Sequence, residues 1–464
     1  MKRWLGPREF YARVLKISIP IVLQQLFLTT FGIVDTIMVG SLFRGVAGVG
    51  IASQFEQIIL TVVFGINVGI GLYLAQFFGA EDEENMKRTF ALGIMYCLGF
   101  TVLATLVVAF FRVPLIQIFN QDPAVVSQAS NYLMIALFAY IPNAISFLFS
   151  IAYRNIQRTK VPLVISVFTM SMNVLLNYLL IFGIGPFPEL GVQGAAIATV
   201  ISTVVSLICH VMYARVSHQV FLPKFRHFLE CIHPDFLHKV SRKMAPFIIN
   251  ELFFSIGGAL YVIFINTLGS DAYEGYRIAE TVVGIMFVFA FGVATSVGAM
   301  LGQELGRKRL ETASRYADYF LFIGLIVALF LAALNFGLAR PLVSLFQNNT
   351  PQVVENAIRV LWVFSLRLLL RVFVVLMFAA FRAGGQGRFV MFLDAGLMWL
   401  IGIPMAFLAA NVLHIQDIAL FFLIMQIEPA VRLVIGMRRY WKRTWIRNLT
   451  DEIRKGSSTT TPAS

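Results

Sequence analysis

The sequence predicts an all-α membrane protein of twelve transmembrane helices, arranged as two pseudo-symmetric six-helix bundles. Three observations predict it. The first is composition: 58% of the 464 residues are hydrophobic and 13% are charged, where a soluble protein carries roughly a quarter charged residues. With a mean hydropathy of +0.80, the chain cannot cover itself with polar groups in water, so lipid is the solvent for much of it. The second is the number of apolar runs long enough to cross a bilayer, and the third is an internal repeat.

A span needs about 20 mainly apolar residues. Twelve runs qualify: residues 14–40, 47–78, 89–111, 127–152, 161–183, 191–214, 239–268, 275–304, 316–337, 352–380, 388–411 and 416–437. Several exceed the minimum, which implies tilt or projecting ends. Loop charge orients them. With the N-terminus inside, 29 Lys and Arg residues, beginning with Lys2, Arg3 and Arg8, fall on the inner side, and 3 (Arg44, Arg112, Arg340) on the outer. That bias puts both termini in the cytoplasm, in agreement with an even number of spans. The net charge of +13 therefore reads as basic cytoplasmic loops, not as a nucleic-acid surface. The basic stretch Met1 to Lys16 runs into a full span, so a cleaved signal peptide is not expected. Cys97, Cys209 and Cys231 are too few for a disulfide framework.

The halves align at a nearly constant offset. Pro20 to Leu42 matches Pro246 to Leu268 at 226, Phe64 to Gly79 matches Phe291 to Gly306 at 227, and Arg154 matches Arg382 at 228. Six spans in each half give both the same topology, so the repeat axis runs along the membrane normal. The expected organisation is an N-terminal lobe over 1–214, a cytoplasmic linker over 215–238, a C-terminal lobe over 239–450 and a flexible tail over 451–464. A cleft between such lobes is a usual place for a transported solute, carried by alternating access. In the linker, Phe221, Phe225, Phe228, Leu229 and Ile232 share one helical face, which predicts a short helix on the inner membrane surface. Cys231, His233 and His238 fit no common zinc spacing, so no metal site is expected. Each repeat also has a Gly-rich stretch ending Gln-x-x-Gly (Gln76 and Gly79; Gln303 and Gly306) and a proline in its first span (Pro20, Pro246). These read either as packing and kinks or as hinges.

Charges at bilayer depth are functional candidates by default. Asp35 lies near the outer end of the first span, and spans one to six carry no basic residue away from their ends. It therefore has no evident structural partner and is a candidate to exchange a proton or bind a cation. Glu56, in the outer part of span two, either adds a second charge there or faces a water-filled cleft. The second half carries Glu251, Asp394 and Glu428 with Arg367, Arg371 and Arg432. At about 1.5 Å per residue, Glu251, Arg371 and Glu428 fall at similar depth. Ion pairs between these acids and these arginines are expected, either structural or opened by an entering cation that competes with an arginine.

The run VDTIMVG (Val34 to Gly40), the segment NVLLNYLLIFG followed by GVQGAAIATVIS, and the pair RNIQRTKVP and FRAGGQGRFVM resemble the multidrug and toxic compound extrusion (MATE) family. The resemblance extends from about residue 14 to 450. It implies a secondary antiporter that exports small, often aromatic, organic cations as Na⁺ or H⁺ enters, with no other cofactor. It implies that Asp35 works with Asn173, Asn177 and Thr199. Asn177 departs from the pattern, being an amide where many relatives carry a carboxylate, and Glu56 is the candidate to replace the missing charge. Glu251 matches the seventh-span acid that relatives use for cation binding, and Asp394 matches a position often acidic in related branches. A monomer in a bacterial-type inner membrane, with lipids as neighbours, is the expected setting. Some of the 44 phenylalanines would line the cleft and receive flat cations. With no P-loop, ATP is not the direct energy source. The rival readings are a lipid-linked oligosaccharide flippase, which would hold a pyrophosphate with several arginines, and a polytopic lipid-modifying enzyme, which would need a His/Asp cluster that the spans lack.

Overall fold

The computed structural model describes residues 4–40, 45–346, 349–451 and 453, and no strand occurs among them. Lys2, Arg3, Arg44 and the tail from residue 454 onward lie outside the described residues. Twelve long apolar segments, one over each predicted run, are long enough to cross a membrane. In chain order the first six helices are α1 (Arg8–Gly40), α2 (Gly45–Gly79), α3 (Glu83–Phe119), α4 (Pro123–Asn155), α5 (Lys160–Phe182) and α6 (Val192–Val216). A short α7 (Phe225–Glu230) lies in the linker. Then come α8 (Pro234–Asn266), α9 (Ser270–Gly306), α10 (Leu310–Gly337), the short α11 (Ala339–Val343) and α12 (Pro351–Ala383). The eleventh span, α13 (Gly387–Val412), alternates α and π turns. The twelfth is made of α14 (Ile418–Ile424) and α15 (Ile427–Trp441).

The helix ends follow from local chemistry. The Asp82 carboxylate accepts from the Asn85 backbone N–H and starts α3, and Asp122 does the same for Ala124 ahead of Pro123. Thr350 caps α12 with Pro351 in the first turn, and Asp417 caps α14. Such side chains satisfy N–H groups that have no partner inside the helix. In α3, Phe111 leaves helical geometry (φ −106°, ψ 16°) three residues before Pro114, where the proline ring and its missing N–H break the ladder. Gly183 closes α5 at φ +66° with the Glu189 backbone packed against it, so a Cβ there would lie 2.6 Å from that nitrogen.

The chain divides into two compact units that do not follow the repeat residue by residue. The N-unit comprises Leu23–Leu74 and Asp82–Ser241, and the C-unit the described residues of Met1–Val22, Ala75–Glu81 and Arg242–Ser464. Within the N-unit, α4 packs on α3 and α6, and α5 packs on α6. Phe221 of the linker was expected on the membrane face, but it is fully buried. Its ring lies 4.8 Å from Phe90, 5.3 Å from Tyr153 and 6.0 Å from Phe149. The residue precedes α7, so the helical period used to assign it did not apply. Phe225, Leu229 and Ile232 do remain exposed.

Within the C-unit, α9 packs along α12, and α10 covers both. The start of α1 belongs here: the Phe10 ring lies 4.9–5.2 Å from Tyr316, Phe320 and Tyr319, and the Ser18 and Ser296 hydroxyls meet at 2.8 Å. The two Gln-x-x-Gly ends meet reciprocally. A Cβ on Gly79 would collide with the Gln303 carbonyl, and one on Gly306 would collide with the Gln76 carbonyl. The segment after α15 closes over this junction. Gln76 Oε1 accepts from the Leu449 N–H at 2.7 Å, and Gln76 Nε2 donates to the Ala383 carbonyl at 2.7 Å. Asn448 donates to the carbonyls of Leu305 at 2.6 Å and Gly306 at 3.1 Å, and Trp445 is fully buried.

Candidate functional site

Two polar centres lie among the spans, one in each unit. In the N-unit, Asp35 projects from the last turns of α1 towards α5. Asn173 and Asn177 are one turn apart on α5 and so share a face. The Asn177 amide donates to Asp35 Oδ1 at 2.8 Å, and Asn173, with its amide nitrogen towards Asp35, donates to both carboxylate oxygens at 3.2 Å. The third expected partner, Thr199, donates to the Ala195 carbonyl within its own helix at 3.0 Å and interacts with the Tyr132 hydroxyl of α4. Glu56 accepts from Asn143 of α4 at 3.4 Å. Tyr132 lies in the field of both Asp35 and Glu56. Sequence reasoning missed Tyr132 and Asn143, because a lone polar residue in a span gives no clue to its partner. Among the described residues neither Asp35 nor Glu56 forms an ion pair.

A hydrogen-bonded knot recurs in both units at the repeat offset. In the N-unit, Arg154 donates to Gln24 at 2.8 Å, and Gln24 donates to Ser166 at 2.7 Å. In the C-unit, Arg382 donates to Glu251 at 3.1 Å, and its neighbour Asn250 donates to Asp394 at 3.0 Å. Gln24 and Asn250 are separated by 226, and Ser166 and Asp394 by 228, the spacing of the repeat anchors themselves. The same architecture thus carries neutral groups in one half and carboxylates in the other. Arg432 completes the C-unit version, reaching Asp394 at 2.7 Å and Glu428 at 2.5 Å.

Two expected pairings in the C-unit differ from those observed. Glu251 pairs with Arg382 rather than with Arg367, Arg371 or Arg432. Arg382 is the last residue but one of α12, so Glu251 meets the C-terminal end of that helix and not its middle. Arg367 pairs at 2.9 Å with Glu280, an acid that sits just inside the predicted eighth span and passes for an end charge in the sequence. Arg371 makes no hydrogen bond or ion pair among the described residues; its guanidinium lies 4.0 Å above the Phe287 ring. Between α3 and α7, Glu84, His227 and Glu230 bring ligand atoms within 4.8 Å of one another. Arg226 holds Glu84 at 2.6 Å and Arg88 holds Glu230 at 2.7 Å, so the group is an ion-pair network that fastens α7 to α3.

Carboxylates held by neutral donors in one unit and by arginines in the other are the parts of an ion-responsive site, and known proteins carry the same plan. The MatE family model matches residues 20–179 and 246–408, once in each repeat. A probable multidrug resistance protein NorM of Thermotoga maritima is 25% identical over 75% of this chain and 74% of its own length. Multidrug resistance protein MdtK of Photorhabdus laumondii is 24% identical over 85% of this chain and 86% of its own. Among solved structures, the Vibrio cholerae MATE transporter VcmN superposes with a TM-score of 0.86 at 19% identity, covering 95% of this chain and 98% of that one. A MOP superfamily transporter from Pyrococcus furiosus gives 0.83 at 20% identity, covering 93% and 95%. The family model covers well over half of the chain, on a scaffold of twelve membrane-crossing helices, and the chain belongs to the MATE family of membrane transporters.

Proposed function

We propose that this transporter exports organic cations in exchange for Na⁺ or H⁺ by alternating access. Its setting in this reading is the inner membrane of a bacterial-type cell, with both termini in the cytoplasm and the protein acting as a monomer among lipids, without a further cofactor. The observation that carries the reading is Asp35, solvated by two amides and, among the described residues, paired with no basic group. Such a carboxylate is free to accept a proton, a metal cation or an organic cation in turn. A tight internal ion pair would have to be broken first, which is costly in a low-dielectric interior. The C-unit carboxylates Glu251, Asp394 and Glu428 form a second coupling group, whose arginine partners an entering cation would displace. The names of the relatives as multidrug resistance proteins support the substrate class, and the loop charge bias supports the orientation. The flippase reading has less support, because three of the four interior arginines of the C-unit are committed to carboxylates.

The test is efflux of a fluorescent organic cation from vesicles under an imposed Na⁺ or pH gradient. Asp35→Asn is expected to abolish gradient-driven efflux while protein level and membrane insertion stay at the wild-type value. Full efflux by Asp35→Asn would remove the N-unit site from the mechanism. Comparison of the two gradients identifies the coupling ion.

A further inference from the structure

Resting on that reading, we propose that Arg371 is the residue that receives the carboxylate of an aromatic acid or zwitterion carried by the transporter. The pairing pattern of the C-unit leads there. Among the described residues, the acids that share the middle of the C-unit with Arg367, Arg371, Arg382 and Arg432 are each already taken: Glu251 by Arg382, Glu280 by Arg367, and both Asp394 and Glu428 by Arg432. Two acids share one arginine while Arg371 has none. A purely structural network would relieve this imbalance by giving one acid to each arginine. Arg371 instead sits one turn from Arg367 on α12, with Arg367 and Arg432 acting on it as like charges and Glu280 and Asp394 as opposite charges at a distance. An ionised group at bilayer depth without a partner is expensive, and an arriving anion removes the expense.

The geometry also fits the ligand. The guanidinium carbon of Arg371 lies over the Phe287 ring, 4.0 Å from its centroid, and no hydrogen bond or ion pair among the described residues engages its N–H groups. A guanidinium is a planar fork whose two parallel N–H groups match the two oxygens of a carboxylate. Arg371 is partly exposed. An aromatic body next to the carboxylate would lie among the apolar side chains beside Phe287, as expected for a substrate that partitions into the membrane.

Two probes with one fluorophore decide the matter: dansylglycine, which ends in a carboxylate, and dansylcadaverine, which ends in an ammonium. Binding of each to the purified full-length protein in detergent is followed by dansyl emission, and thermal unfolding is measured in parallel. Wild-type protein is expected to bind both. In Arg371→Gln the ratio of the two affinities should shift by about tenfold or more towards the ammonium, since a charge-assisted hydrogen-bonded pair is lost. Arg371→Lys, which keeps the charge but not the fork, should shift it in the same direction by a smaller factor, and it decides the question should Arg371→Gln fail to fold. An unchanged ratio in the variant that folds, or wild-type protein blind to dansylglycine, overturns the carboxylate subsite. Dansylcadaverine that binds but is not moved by any ion gradient counts against cation antiport instead, so the two readings fail separately.

Discussion

Asp35 and Glu251 solve the same problem, a carboxylate among spans, by opposite means. The first is surrounded by amide donors, and the second leans on a guanidinium. The N-unit shows that the equivalent arginine can be held without a charge, since Arg154 there is satisfied at 2.8 Å by the neutral Gln24, the counterpart of Asn250 beside Glu251. This predicts a specific outcome for Glu251→Gln. Removing one partner of a buried ion pair usually destabilises by about 3–5 kcal/mol, but here the replacement amide can accept from Arg382 as Gln24 accepts from Arg154. The loss should be nearer 1 kcal/mol, the scale of a single hydrogen bond, with protein level preserved and ion-driven efflux abolished. Thermal unfolding in detergent and vesicle efflux read the two effects apart. A large fall in stability would make Glu251 a structural residue. The carboxylates themselves were visible in the sequence because charge is rare in apolar runs; Asn173, Asn177 and Arg432 were among the expected partners, whereas Arg382, Glu280 and Asn143 were not. Arg382, at the end of its helix, reads in the sequence as a cytoplasmic loop charge, so it was not weighed as a partner for Glu251. The repeat offset was the better guide, for it pairs Gln24 with Asn250 and Ser166 with Asp394 without any estimate of depth.

At the scale of the helix, the elements were legible wherever a length rule applied, and all twelve spans lie over the predicted runs. The division of the twelfth span into α14 and α15 and the π turns of α13 were not, because they depend on how each ladder is packed rather than on hydropathy. The cap of α14 offers a test outside the membrane. The Asp417 carboxylate accepts from the Leu420 backbone N–H at 2.9 Å and is paired with Arg359, and these donors hold it below the usual carboxylate range. A group with its folded value depressed stabilises above the unfolded value, near 3.9, and that contribution fades as pH falls through the lower folded one. Asp417→Ala should therefore destabilise at neutral pH by about 0.5–2 kcal/mol, the range for a lost cap. The gap in melting temperature between wild type and variant should close as pH drops below about 4. A gap that does not depend on pH would leave only packing at this position.

For the molecule as a whole, the duplicated plan was readable from the sequence because three separate anchors kept one offset. The compact units cut across that plan: Ala75–Glu81, from the first repeat, is built into the C-unit with Gln303, Gly306 and the segment around Trp445. Gly79→Val and Gly306→Val should each damage folding, since either side chain strikes a backbone carbonyl and not a movable side chain. Detergent-extracted yield and melting temperature would show it, and tolerance of either change would mean that the helix ends can part without harm. The reciprocity has a genetic consequence. Each glycine is held small by the other repeat's glutamine backbone, so a change in one copy of the motif must be answered at the other. Selection on one position is exerted by the other copy, and a backbone obstacle offers no side chain to trim in return. A search for second-site suppressors of Gly79→Ala is thus expected to return changes that move whole helix ends, clustered in residues 444–450 and the end of α9, and not substitutions at Gln303.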